Sequence, residues 1–92
     1  MELTQVRYFI TLCRTLNFTR AAEQCSISQS AFTRSIQRLE DEFGGLLLFR
    51  ERSHTQLTEL GRAIRPHFEA MLHAADAARA LANAKIAGNT PV

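Results

Sequence analysis

The run from residue 18 to residue 43 constrains this 92-residue chain more than any other part of it. It reads FTRAAEQC, then SI, then SQSAFTRSIQRLEDEF, which predicts a short helix, a tight turn and a longer amphipathic helix. In the longer helix Phe32, Ile36, Leu39 and Phe43 stand at i, i+4, i+7 and i+11 and make one apolar stripe. At about 100° per residue, Ser30, Thr33, Arg34, Gln37 and Arg38 turn the other way. That outer face is short-chained, amide-bearing and cationic. Its acids, Glu40, Asp41 and Glu42, come only at the far end. Such a face suits base edges and phosphates better than a second apolar surface. The expectation is a helix-turn-helix whose second helix reads the major groove of DNA.

The flanking residues fit this reading. Ala21 and Ala22 are small where two helices cross, Cys25 closes the first helix, and Ser26-Ile27 makes the turn with Ile27 as an apolar plug. Ser28 is the expected N-cap of the second helix. Gly44-Gly45 ends it, the first glycine in the left-handed conformation. Next, LLLFRERSHTQL predicts two short strands, 46–50 and 55–57, with Arg52, Ser53 and His54 at the tip. This is a wing, and Arg50, Arg52 and His54 on it are placed to approach phosphates or a minor groove.

Ahead of this unit, residues 3–16 predict a helix capped by Thr4, with Val6, Phe9, Ile10, Cys13 and Leu16 as its core stripe. Leu3, Tyr8 and Leu12 widen the apolar arc beyond that stripe. Behind it, Thr58 caps a long helix over 59–87, with Glu59 on the favourable side of the dipole and Pro66 bending its first turns. That helix would span about 43 Å, more than a core of this size can cover. Ile64, Phe68, Met71, Ala75, Ala78 and Ala82 recur at alternating steps of four and three, a coiled-coil seam that implies a second copy of the same helix. Three regions follow: a DNA-binding unit over 1–58, a dimerisation helix over 59–87 and a hinge over 88–92.

Composition excludes several classes. An apolar fraction of 46% supports a folded core, and no apolar run approaches the roughly 20 residues of a membrane span. A cytoplasmic protein with reduced, core-lying Cys13 and Cys25 is expected. The net charge of +2 says little, but all 11 cationic side chains except Lys85 are Arg, the type that joins phosphate binding to bidentate reading of guanine. Glu69 and His73, at i and i+4, fall short of a metal site, and His54 reads as a polar loop residue. No glycine-rich phosphate loop, catalytic carboxylate pair or nucleophile–base set is present, so an enzyme is not expected. The alternative is an oligomerisation or protein-interaction module that keeps the helix-turn-helix as scaffold. An Arg-rich wing and helix face count against it.

Three stretches resemble the N-terminal DNA-binding domain of LysR-type transcriptional regulators: LTQVRYFI, NFTRAAEQCSISQSAFTRSIQRLEDEFG and LTELGRAIRPH. The resemblance covers nearly the whole chain, and its central run is highly specific. It implies a mainly α fold, a winged helix-turn-helix with a three-helix core and a β-hairpin wing, followed by a long linker helix that pairs antiparallel in a dimer. It further implies activation or repression at bacterial promoters through an imperfect inverted repeat, at the nucleoid, with RNA polymerase as a further partner of the full-length protein. Carried over residue by residue, the DNA contacts fall on Ser28, Gln29, Ser30, Thr33, Arg34 and Arg38, on Arg50 and Arg52 of the wing, and on Thr58. Two positions depart from the family pattern. Ser30 stands where Pro is usual, and Leu48-Phe49 where Phe and a polar or basic residue are usual. No cofactor is expected within these residues. The resemblance implies a small-molecule effector bound by a C-terminal domain beyond the hinge.

Overall fold

A computed structural model describes residues 1–51 and 54–88. The element order is α1 (Leu3–Thr15), α2 (Phe18–Gln24), α3 (Gln29–Phe43), β1 (Leu48–Arg50), β2 (Thr55–Leu57) and α4 (Glu59–Gly88). This is the expected mainly helical, winged arrangement with a long final helix.

Each helix starts where a side chain can take up orphan N–H groups. Asn17 accepts from Arg20 N at 2.8 Å and Ser28 from Ala31 N at 3.1 Å. The cap of α1 is Glu2 rather than Thr4. Glu2 and Gln5 form a reciprocal capping box, with the Glu2 amide donating to Gln5 Oε1 at 2.8 Å, and Thr4 is already inside the helix. Between α2 and α3 the chain turns through Ser26 at φ 60°, and the Ile27 amide donates back to Ala22 O at 3.1 Å. Gly44 closes α3 at φ 74°, the left-handed cap that its sequence position implies.

The core lies where α1, α2 and α3 meet under the first half of α4. Phe9, Leu12, Phe32, Ile36, Leu39, Leu47 and Phe68 are its large, fully enclosed side chains. Phe9 meets Phe68 edge-on at 5.5 Å between ring centroids, and Phe32 meets both Tyr8 at 5.4 Å and Phe18 at 6.0 Å. Two assignments on α1 are corrected. Leu12, read as surplus, is completely buried. Leu16, read as core, is the left-handed C-cap at φ 51° and is half-exposed, because the helix ends one residue before it.

A larger correction concerns the seam on α4. Phe68 is buried within the single chain, and Ile64 and Met71 pack against the same core. A coiled-coil pattern looks the same whether its partner is another copy or, as here, α1 of the same chain. Only Ala78 and Ala82 of the six seam residues are fully on the surface, and Ala75 is half-buried.

β1 and β2 pair antiparallel, Leu48 opposite Leu57 and Arg50 opposite Thr55. Leu48 faces the core, and Phe49, next along the pleat, faces solvent with 49% of its surface exposed.

Candidate nucleic-acid interface

The outer face of α3 is as the helical period places it. Ser28, Gln29, Ser30, Arg34, Gln37 and Arg38 are exposed and Thr33 is half-exposed. Among the described residues no ion pair or hydrogen bond engages the side chains of Arg34 or Arg38, so both guanidinium groups are open to an external acceptor. Gln29, Ser30, Thr33 and Arg34 line one shallow groove over the first turns of α3. Ser28 spends one acceptor on capping, and its hydroxyl lies 3.3 Å from that of Ser30. The serine that replaces the usual proline therefore extends a polar N-terminal edge, where backbone N–H groups and the helix dipole favour an anion.

A second groove joins the helix-turn-helix to the wing. It is lined by residues 16–19 ahead of and within α2, by Gln29 and Thr33 of α3, and by Arg50, Glu51, His54 and Thr55 of the wing. Gln29 is held in place by its neighbour, as Thr19 Oγ1 donates to Gln29 Oε1 at 2.9 Å and leaves the Gln29 amide nitrogen to face outward. Thr19 and Phe18 are site residues that sequence reasoning placed only in a helix start. Only the fold reveals them, through the Thr19–Gln29 bond and the edge-on contact of Phe18 with Phe32.

Arg50 is less free than a wing-tip cation. Its guanidinium carbon sits 4.5 Å from the centroid of the Phe18 ring, and Nη2 lies 3.9 Å from Glu40 Oε1. This cation–π and ionic seating holds Arg50 at the lip of the groove. Arg52 lies outside the described residues.

Two assignments change. Thr58, carried over as a DNA contact, is buried. Its hydroxyl donates to Leu46 O at 2.6 Å and accepts from Gly61 N at 3.0 Å, so nothing remains for a phosphate. Glu40, read as one of three solvated acids, is buried too. Its Oε2 accepts from Leu47 N at 2.8 Å and Leu48 N at 3.3 Å. The signal for Glu40 was present, since it follows Ile36 by four residues and so falls on the buried side of α3.

An amphipathic second helix with an uncommitted cationic face, flanked by a short hairpin, defines a winged helix-turn-helix domain. The chain matches the family described as "Bacterial regulatory helix-turn-helix protein, lysR family" over residues 3–62 and belongs to it. It is 55% identical over 62 residues to the HTH-type transcriptional regulator CatR of Pseudomonas putida, a match covering 67% of this chain and 21% of CatR. Its fold is similar to that in a crystal structure titled BenM_DBD/benA site 1 DNA complex, with a TM-score of 0.88, 31% identity and coverage of 98% of this chain and 100% of that one. A CbnR_DBD–DNA complex gives a TM-score of 0.87 at 31% identity, covering 94% and 99%. The chain spans about a fifth of the length of CatR and between a fifth and a half of the length of the other curated relatives it matches. Among the described residues no helix is long and apolar enough to cross a membrane.

Proposed function

We propose that this chain is the sequence-specific, double-stranded-DNA-binding module of a bacterial transcription regulator and acts as a homodimer on an inverted repeat. α3 enters the major groove with Ser30, Thr33, Arg34 and Arg38 toward the bases and phosphates. The wing lies along the backbone or adjacent minor groove, with Arg50 at its base. The observation that carries this reading is the exposed α3 face, on which two arginines have no partner among the described residues and so retain their donors. The likeness to domains solved on DNA supports it. Distal α4, including Ala78 and Ala82, supplies the contact between copies, and the two-fold pairing sets two reading helices on one face of the duplex. The regulator works in the cytoplasm at the nucleoid, and a small-molecule effector, with RNA polymerase, engages parts of the protein beyond this domain.

Mobility shifts on a duplex selected from a random pool, against its scrambled counterpart, test the reading. Arg34→Ala is expected to reduce the ratio of specific to non-specific affinity by the loss of a base contact, about 1–3 kcal/mol. An unchanged ratio removes the base-reading role of Arg34. Binding that does not weaken with salt on any duplex removes the whole reading, because phosphate contacts release counterions.

A further inference from the structure

Among the described residues two polar side chains are buried, Glu40 and Thr58, each 6% exposed, and both grip the same three-residue segment. Glu40, near the end of α3, takes the N–H groups of Leu47 and Leu48 on one carboxylate oxygen. Thr58, at the start of α4, takes the opposite set. Its hydroxyl donates to Leu46 O and its amide donates to Leu47 O at 3.0 Å. The same hydroxyl then accepts from Gly61 N, inside the first turn of α4. Leu47 is fully enclosed between the two grips. The packing admits no slack here, because a Cβ at Gly61 would stand 2.3 Å from Leu47 O.

Burying a carboxylate and a hydroxyl is a poor way to gain stability, since each gives up its hydration and an apolar filling of equal volume does as well or better. What such groups add is direction, because hydrogen bonds fix angles where apolar contacts slide. Continuous bonding runs from the reading helix, through the strand-like segment, into the helix that carries the dimer contact. Magnitude shows why direction matters. α4 has 30 residues and is about 45 Å long, so a tilt of about 5° of the whole helix, its packing on α1 shifting with it, moves its far end by about 4 Å. One base pair is about 3.4 Å. A tilt of a few degrees at this joint is therefore worth a whole step of half-site spacing.

We infer that Glu40 and Thr58 are positioning residues that lock the angle between α3 and α4, and so select the separation of the two half-sites on DNA. The inference rests on the dimeric reading above. Both side chains are buried, and Glu40 reaches the groove only through Arg50. Thr58→Val keeps the shape of Thr58 and deletes both hydroxyl bonds, Thr58→Ser restores them, and Glu40→Gln keeps one acceptor oxygen while removing the charge.

The test is a spacing series. The inverted repeat selected by the wild-type chain is rebuilt with its half-sites one, two and three base pairs closer or farther apart, beside a duplex carrying a single half-site. Wild type is expected to favour one spacing sharply. Thr58→Val is expected to bind the single half-site as wild type does, yet to lose threefold to tenfold of the preference between the best spacing and its neighbours. Thr58→Ser returns the preference, and Glu40→Gln falls between them. A Thr58→Val or Glu40→Gln profile that is lowered uniformly, or unchanged, overturns the inference and leaves a merely structural role. Should Thr58→Val fail to fold, the Glu40→Gln profile decides against that of Arg50→Ala, because Glu40 also seats Arg50. A loss of spacing preference beyond that of Arg50→Ala supports the inference, and a profile equal to it overturns the inference. A wild-type chain indifferent to spacing removes the two-fold reading itself, and the inference with it.

Discussion

Cys13 and Cys25 are both free thiols, but they lie in different surroundings. Cys13 faces the core from α1, and burial pushes its thiol up to about 11. The thiolate is the nucleophile, so at neutral pH Cys13 is almost wholly unreactive. With iodoacetamide at pH 7, mass spectrometry is expected to show half-buried Cys25 alkylated first and Cys13 modified only when denaturant opens the core. Equal rates for the two thiols contradict this. At the same scale, Arg7 donates to Asp76 Oδ1 at 2.8 Å, tying α1 to the middle of α4. This bond holds the Asp76 carboxyl below the usual 3.8. For a carboxyl depressed in the folded state, the stabilisation is complete above the unfolded value and disappears as pH falls through the lower folded one. The pair is exposed, so its contribution to stability is small. The clean readout is the titration: in Arg7→Ala the Asp76 midpoint, followed by carboxyl NMR, is expected to rise toward 3.8. An unmoved midpoint contradicts the assignment of cause.

At the scale of elements, the joint between α3 and α4 opposes two effects of known size. Gly61 lies within the first turn of α4, where alanine should gain about 1 kcal/mol of helix propensity over glycine. The added Cβ would overlap Leu47 O, a backbone atom held on both sides, and cannot be relieved by a rotamer change. Overpacking of this kind costs about 1–3 kcal/mol, so Gly61→Ala is expected to be net destabilising by thermal or urea unfolding. A gain in stability would show that the joint yields. The elements themselves were legible in sequence because period, the caps Asn17, Ser28 and Thr58 and the stop at Gly44 agreed, whereas the cap of α1 and the start of β1, at Leu48 rather than Leu46, were not. The outward face of α3 was legible for the same reason, since Phe32, Ile36 and Leu39 fix its inward side. The burial of Glu40 was legible from its spacing after Ile36, but what Glu40 and Thr58 bond was not. An acid among acids reads as solvated and a threonine before a helix reads as a cap or a phosphate contact, and only the path of Leu46–Leu48 shows what each bonds. Phe68 failed differently: its spacing is right for a seam, but spacing does not say which chain lies opposite.

The whole molecule extends 60 × 25 × 19 Å, a compact reading head with a rod projecting from it. Dimerisation belongs to this scale, and the burial pattern says how to probe it. Phe68→Glu, an obvious choice from the seam, puts a charge where Phe9 and Phe43 close around a ring and is expected to unfold the head. Loss of the ring alone is worth about 3–5 kcal/mol. Leu81 is 60% exposed on the distal rod. Leu81→Glu is expected to leave the melting of the head intact and to shift sedimentation toward monomer at micromolar concentration. Leu81→Glu sedimenting as wild type, or a wild-type chain that is itself monomeric, contradicts the proposed contact between copies.

Residues 77–88 are exposed along their whole length, yet they are helical. Alanine accounts for this, being the residue that gives up least entropy in a helix. On the proposed dimeric reading, a second copy would meet a surface that is already helical, and little chain entropy would be lost on pairing. Affinity between copies can then be modest in area and still useful. On that reading, the lifetime of the pair, rather than any folding step, sets how long two copies stay together.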